Sequence, residues 1–147
     1  MKRILLLIMT LLLFSGAASA QRGLNCFSVF KGKIVPAKQM IVTEARGESM
    51  TTYKLDYYHS VRFQVDEVTA KQVAELILAD ASDAQSAETE TTGELLTYAL
   101  IQPKPFARVR RYLCYQARPA GSAWIITILY LEGSATLEDL RSMFEKQ

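Results

Sequence analysis

The chain reads as a single α+β domain: a mainly antiparallel sheet of about five strands with two helices packed on one face. Three stretches predict it. Residues 52–65 alternate apolar and polar, residues 66–84 place apolar side chains three and four apart, and residues 123–132 are apolar on both registers. These are the patterns of a half-buried strand, an amphipathic helix and a central strand covered on both sides. The order is two strands, helix, three strands, helix. Strands joined by short loops pack as neighbours.

The first twenty residues stand outside this plan. Lys2 and Arg3 precede an apolar run from Ile4 to Phe14, and Ser15-Gly-Ala-Ala-Ser-Ala20 follows. A basic head, an apolar centre and small residues at a cut make a secretory signal peptide. The apolar run is shorter than the about 20 residues a bilayer-crossing helix needs. Cleavage after Ala18-Ser19-Ala20 leaves one domain, residues 21–147, with no transmembrane segment. The expected product is exported, periplasmic or extracellular, and soluble. Cys26 follows Gly23-Leu24-Asn25 well past the cut, which is not the setting of a lipoprotein's acylated cysteine.

Within the domain, Phe27, Val29 and Phe30 dock the N-terminal piece onto the core before Pro36. Residues 39–46 form the first strand, and Gly47-Glu48-Ser49-Met50 turns it into the second, which carries Tyr53, Leu55, Tyr57, His59, Val61, Phe63 and Val65 on its apolar register and bends near His59. Val73, Leu76, Ile77, Ala81 and Ala84 form the apolar stripe of the helix, with Asp66, or Thr69 with Gln72, capping its start. Residues 85–92, polar and carrying Glu88 and Glu90, read as a helix tail and a solvent loop ending at Gly93. Strands follow at 94–102, 107–118 and 123–132, separated by Pro103-Lys104-Pro105 and Pro119-Ala-Gly-Ser122. Ser134 or Thr136 then caps a short helix with Leu137, Leu140, Met143 and Phe144 on one side.

Charge narrows the function classes. The 17 basic side chains include Lys2 and Arg3 of the signal peptide, so the 15 that remain balance the 15 acidic ones. A neutral domain has no global field to attract nucleic acid, and any electrostatic recognition must be local. One histidine and two distant cysteines offer no close ligand pair, so no metal is expected, and no motif calls for a cofactor. Cys26 and Cys114 can bridge in an oxidising compartment, for about 4 kcal/mol in the chain-entropy model. The alternative, favoured because a domain of this size needs no staple, is two buried thiols.

The strand over residues 107–118 carries the strongest site candidate. Arg108, Arg110, Tyr112, Cys114, Gln116 and Arg118 share one register, a basic stripe opposite a mostly apolar one. Guanidinium forks on a rigid strand hold carboxylate, phosphate or sulfate through paired hydrogen bonds. The competing reading leaves these arginines simply solvated, or pairs them with Asp56 and Glu44 on neighbouring strands. His59 invites a catalytic reading with Asp56 and Ser60, but strand geometry points those two away from it. Asp80 and Asp83 read as a solvated helix face; Tyr53 and Tyr57 read as core residues with outward hydroxyls, and Tyr58 and Tyr112 as exposed rings that offer a contact surface to a partner or a saccharide.

Gly23-Leu24-Asn25, Tyr57-Tyr-His-Ser-Val61, Asp80 with Glu88, Gly93-Glu-Leu-Leu-Thr-Tyr98, Arg111-Tyr-Leu-Cys-Tyr115 and Ile128-Leu-Tyr-Leu-Glu-Gly133 carry a resemblance to a family of small exported domains of unknown function from Gram-negative anaerobes. The resemblance spans most of residues 21–147 and implies export and a small α+β domain, with no activity attached. The expected function is a non-enzymatic binding or interaction module, engaging an envelope protein or a small anionic ligand through Arg108, Arg110, Tyr112 and Arg118. Two alternatives stand beside it: a small hydrolase or transferase using His59 with a nucleophile brought in by folding, and a purely structural envelope component.

Overall fold

A computed structural model describes residues 23–47, 52–105 and 108–145. The expected signal peptide, Glu48 to Met50 of the expected first turn, Ala107 of the strand expected over residues 107–118, and the side chains of Met143 and Phe144 lie outside the described residues. A short helix α1 (Phe27–Phe30) and a 3₁₀ turn (Ala37–Gln39) lead into strand β1 (Ile41–Arg46) and strand β2 (Leu55–Val65). Helix α2 (Glu67–Ser82), strands β3 (Ser86–Thr92), β4 (Leu95–Gln102), β5 (Arg110–Ala120) and β6 (Ala123–Gly133), and helix α3 (Leu137–Glu145) complete the chain. The strands make one antiparallel six-stranded sheet in the order β1-β2-β6-β5-β4-β3. The doubly apolar β6 therefore sits near the middle, between β2 and β5.

The α+β class and the alternating pattern are as expected; three details differ. The first is β3, which occupies the stretch expected to be a loop. All seven of its residues are exposed, so it has no apolar register to reveal it. What makes it a strand is the tight Gly93 turn, with φ +64, that folds it back onto β4. The second is the start of β2, at Leu55 rather than Thr52, because Lys54 takes a positive φ of 59 that interrupts the extended chain.

The third concerns the helices, which lie on opposite faces of the sheet instead of on one. Ala70, Val73, Ala74 and Ile77 of α2 pack with Val61, Phe63, Ala99, Ile101, Leu113, Tyr115, Ala117, Ile126 and Ile128, joined by Cys26, Val29 and Val35 from the N-terminal segment. Leu137 and Leu140 of α3 pack with the other registers: Leu100, Tyr112, Cys114, Leu129 and Leu131. The reason is in β4, β5 and β6. They are apolar on both registers, so each face needs its own cover, and a 16-residue helix supplies only one.

The helix starts follow ordinary capping chemistry. Asp66 accepts from the Thr69 N–H at 2.8 Å, which settles the start of α2 on Asp66. At α3 the Thr136 N–H donates to Asp139 at 2.8 Å, and the Asp139 N–H donates to Thr136 Oγ1 at 3.1 Å, a reciprocal box with aspartate in place of glutamate. Between β6 and α3 the chain passes so close to Lys54 that a Cβ on Gly133 would sit 2.5 Å from the Lys54 carbonyl oxygen. Only glycine fits there, and the Ala135 N–H then donates to that carbonyl at 2.9 Å.

Candidate functional site

The basic stripe of β5 is cut in two by α3. Near the start of the strand, Arg110 Nη1 donates to the Ser134 carbonyl at 3.1 Å. Tyr112, expected as part of the binding face, is buried, and its hydroxyl donates to the Ala135 carbonyl at 2.6 Å. Tyr112 is thus a core residue beneath the lead-in to α3. Its burial pushes the phenol pKa up. Arg108 is exposed in the turn before β5, with φ +65, outside the strand. Sequence spacing could not show that a helix crosses the middle of this register.

Beyond α3 the same face is open. Arg118 and Gln116 are exposed there, and the register sets them beside residues of β2 across the central strand. Thr127 lies between Arg62 and Gln116, and Ile125 lies between Gln64 and Arg118. All four flanking residues, Arg62, Gln64, Gln116 and Arg118, are exposed. Strand spacing puts the β2 and β5 side chains roughly 10 Å apart. Among the described residues neither Arg62 nor Arg118 pairs with a carboxylate. The cross-strand pairing weighed from the sequence, with Asp56 and Glu44, does not form for Arg118. Arg62 was visible as a member of the polar register of β2, but its proximity to Arg118 depends on β6 pairing with both strands.

The opposite face divides differently. Its β1 end carries two adjacent rows across four strands: Arg46, Tyr57, Glu132 and Arg111, then Glu44, His59, Tyr130 and Leu113. Diagonal bonds tie the rows together. The Tyr57 hydroxyl donates to Glu44 at 2.8 Å and the Tyr130 hydroxyl to Glu132 at 2.5 Å. Burial and the Glu44 carboxylate push the Tyr57 phenol up to about 12, and burial with Glu132 raises Tyr130 further. Arg46 lies 4.3 Å over the Tyr57 ring and 3.6 Å from Glu44. Arg111, placed by sequence on the apolar register, is buried, and its guanidinium donates to the Lys104 carbonyl at 2.9 and 3.3 Å.

His59 sits among these groups as a packed side chain. Its ring centroid is 4.8 Å from Phe30 and 6.2 Å from Tyr57. Its Nδ1 is buried with no hydrogen-bond partner among the described residues, so no serine, threonine or cysteine is bonded there. Burial lowers the His59 pKa, Glu44 opposes that and Arg46 adds to it. The ring lacks the bonded nucleophile that the catalytic alternative requires.

The two cysteines are free, buried and separated by the sheet. Cys26 packs with the α2 side, whereas Cys114 faces α3, so the disulfide considered from sequence does not form. Burial pushes both thiols up, Cys114 to about 12. Asp80 also departs from its expected solvated position, being 3 % exposed. It accepts from the Asn25 N–H at 2.5 Å, Asn25 Nδ2 at 3.0 Å and the Cys26 N–H at 2.9 Å, which clamps the N-terminal segment onto α2. Among the described residues no group of three or more His, Cys, Asp or Glu side chains is arranged to hold a metal ion, and no helix is long and apolar enough to cross a membrane.

No curated protein matches the chain. Among solved structures, the crystal structure of human STARD10 aligns with 11 % identity over 82 % of this chain and 72 % of that one, at a TM-score of 0.22, which is too low to bear on fold or ligand. The model of a family of unknown function, DUF6108, matches residues 13–144, nearly the whole chain, and the chain belongs to that family.

Proposed function

We propose that this protein is a non-enzymatic binding module, exported by its N-terminal signal peptide, that engages an anionic partner through the open half of the sheet face on the α3 side. The observation that carries this reading is the juxtaposition of Arg62 and Arg118, exposed and without carboxylate partners among the described residues, around a floor of Gln64, Gln116 and Thr127. Unpaired guanidiniums keep their bidentate geometry for an incoming carboxylate, phosphate or sulfate, and flanking amides add neutral hydrogen bonds. Arg108, also exposed and unpaired among the described residues, lies before the start of β5, at the far end of the strand from this patch. Arg110 is half committed to Ser134.

Since residues 21–147 are formally neutral, retention on a polyanion has to come from a local patch. Chromatography on immobilised heparin tests this directly. The purified protein is expected to bind at low salt, and Arg62→Gln with Arg118→Gln to flow through; equal elution of the two proteins removes the proposal. Export is checked separately by the N-terminus of the protein recovered from the cell envelope or medium, expected at Gln21.

A further inference from the structure

The two edges of the sheet are built differently, and the difference identifies where a partner attaches. An edge strand exposes a row of unpaired backbone N–H and C=O groups, and proteins ordinarily protect it with charges, bulges or a covering element. Strand β3 has these protections. It carries Glu88 and Glu90, its pairing with β4 shifts at Glu90/Thr91, and Glu88 is ion-paired with Arg141 of α3. Strand β1 pairs with β2 in unbroken register from Ile41 to Arg46, and no other described strand lies beyond it. Ile41 is 68 % exposed and Val42 50 %, on opposite sides of the strand. A regular edge with two exposed β-branched aliphatics, whose charges Glu44 and Arg46 pair with each other, is a template for a further strand.

The neighbouring charge specifies what that strand carries. Ile41 lies directly opposite Arg62, on the face of the open patch, and Thr43 lies opposite Ser60. A strand added outside β1 would stand roughly 10 Å from β2, a span that an arginine from one side and a glutamate from the other can bridge. Arg62 has no competing partner among the described residues. We infer that β1 accepts an extended acidic polypeptide segment as a seventh strand, with carboxylates at alternate positions directed over Ile41 toward Arg62 and apolar residues beside Val42 on the other face. This rests on the anionic-partner reading and narrows it to a polypeptide that binds through its backbone.

A fluorescein-labelled decapeptide of alternating glutamate and valine, titrated against the purified protein and followed by anisotropy, tests it. Binding is expected to weaken at least tenfold when every second residue of the peptide is N-methylated, because the ladder hydrogen bonds are then lost while the charge is kept. The variant Ile41→Glu with Val42→Glu, at exposed positions, is expected to weaken it similarly, because carboxylates there repel those of the peptide. Equal binding of the methylated and unmethylated peptides overturns the seventh strand yet leaves polyanion binding standing. Loss of heparin retention without any effect of Arg62→Gln on the peptide also overturns it. A dimer in sedimentation equilibrium that Val42→Lys dissolves assigns the edge to a second copy and overturns it as well. Absence of both heparin and peptide binding removes the underlying reading.

Discussion

The β1 and β3 edges of one sheet hold to the body of the protein by different means. Strand β3 is made of seven exposed polar or small residues and is tied to the rest by backbone pairing, one surface ion pair and exposed hydroxyl bonds at Ser86, Glu90 and Thr92, with no buried side chain. Strand β1 is tied by side chains: Tyr57 bonds Glu44, Arg46 covers the Tyr57 ring, and the row behind them runs through His59 and Tyr130 into the sheet. A neighbouring element also steadies this side, since Phe30 of α1 packs on His59 and Asp80 holds α1 in place. The lesson is that charge alone does not separate the two edges, since β3 carries Glu88 and Glu90 and β1 carries Glu44 and Arg46. The pairing shift at Glu90/Thr91 guards only β3, while the open edge β1 keeps an unbroken register and is held in shape by its side chains.

That contrast can be broken from the β1 side first. Asp80→Ala removes a buried carboxylate that accepts three hydrogen bonds, and bonds to a charged acceptor are worth about 1.5–3 kcal/mol each, with the stranded donors adding to the loss. Chemical denaturation is expected to show a loss of about 3 kcal/mol. Hydrogen exchange is expected to quicken in residues 25–35 and β1 while β3 exchanges as before. Tyr57→Phe deletes one bond to Glu44 and is expected to cost about 1 kcal/mol, read as faster exchange confined to β1 and its partner β2.

Solution pH distinguishes the edges without mutation. His59 has a depressed pKa in the fold, so the unfolded chain binds its proton first and the stability it supports is lost as pH falls below 6.5. Tyr57 has a raised pKa, so its contribution is intact below pH 10 and is lost as pH rises toward about 12. Exchange rates corrected for intrinsic chemistry are expected to rise in β1 and β2 in both windows, and His59→Phe is expected to remove the acid response. The smallest effect belongs to the other edge. Arg141→Gln breaks an exposed ion pair with Glu88 and is expected to change stability by less than about 0.5 kcal/mol.

How much of this is legible in the sequence depends on the physics that fixes each part. The alternation around Leu55 to Val65, the period change after Asp66 and the doubly apolar β6 are local patterns, and each marks its element. Strand β3 was hidden because burial is what writes a strand into sequence, and β3 buries nothing. The opposed helices follow from counting apolar registers, a signal present in Tyr112 and Cys114 beside Leu113 and Tyr115 but readable only once β5 has neighbours on both sides. Of the candidate residues, Arg118 is exposed on its strand as its register predicts, whereas Tyr112 is buried. Arg62 was seen only as one polar residue of an alternating strand, since its place next to Arg118 depends on the register of β6 with two strands distant in sequence. Asp80 looked solvated because its three donors come from Asn25 and Cys26, more than fifty residues away.

The central claim, that the open edge takes a partner strand and the guarded edge does not, is tested most directly by amide hydrogen exchange of the protein with and without the glutamate–valine peptide. The account predicts new protection in Ile41–Arg46 and none in Ser86–Thr92. Protection that appears in β3, or peptide binding that leaves β1 exchanging at its free rate, would contradict it.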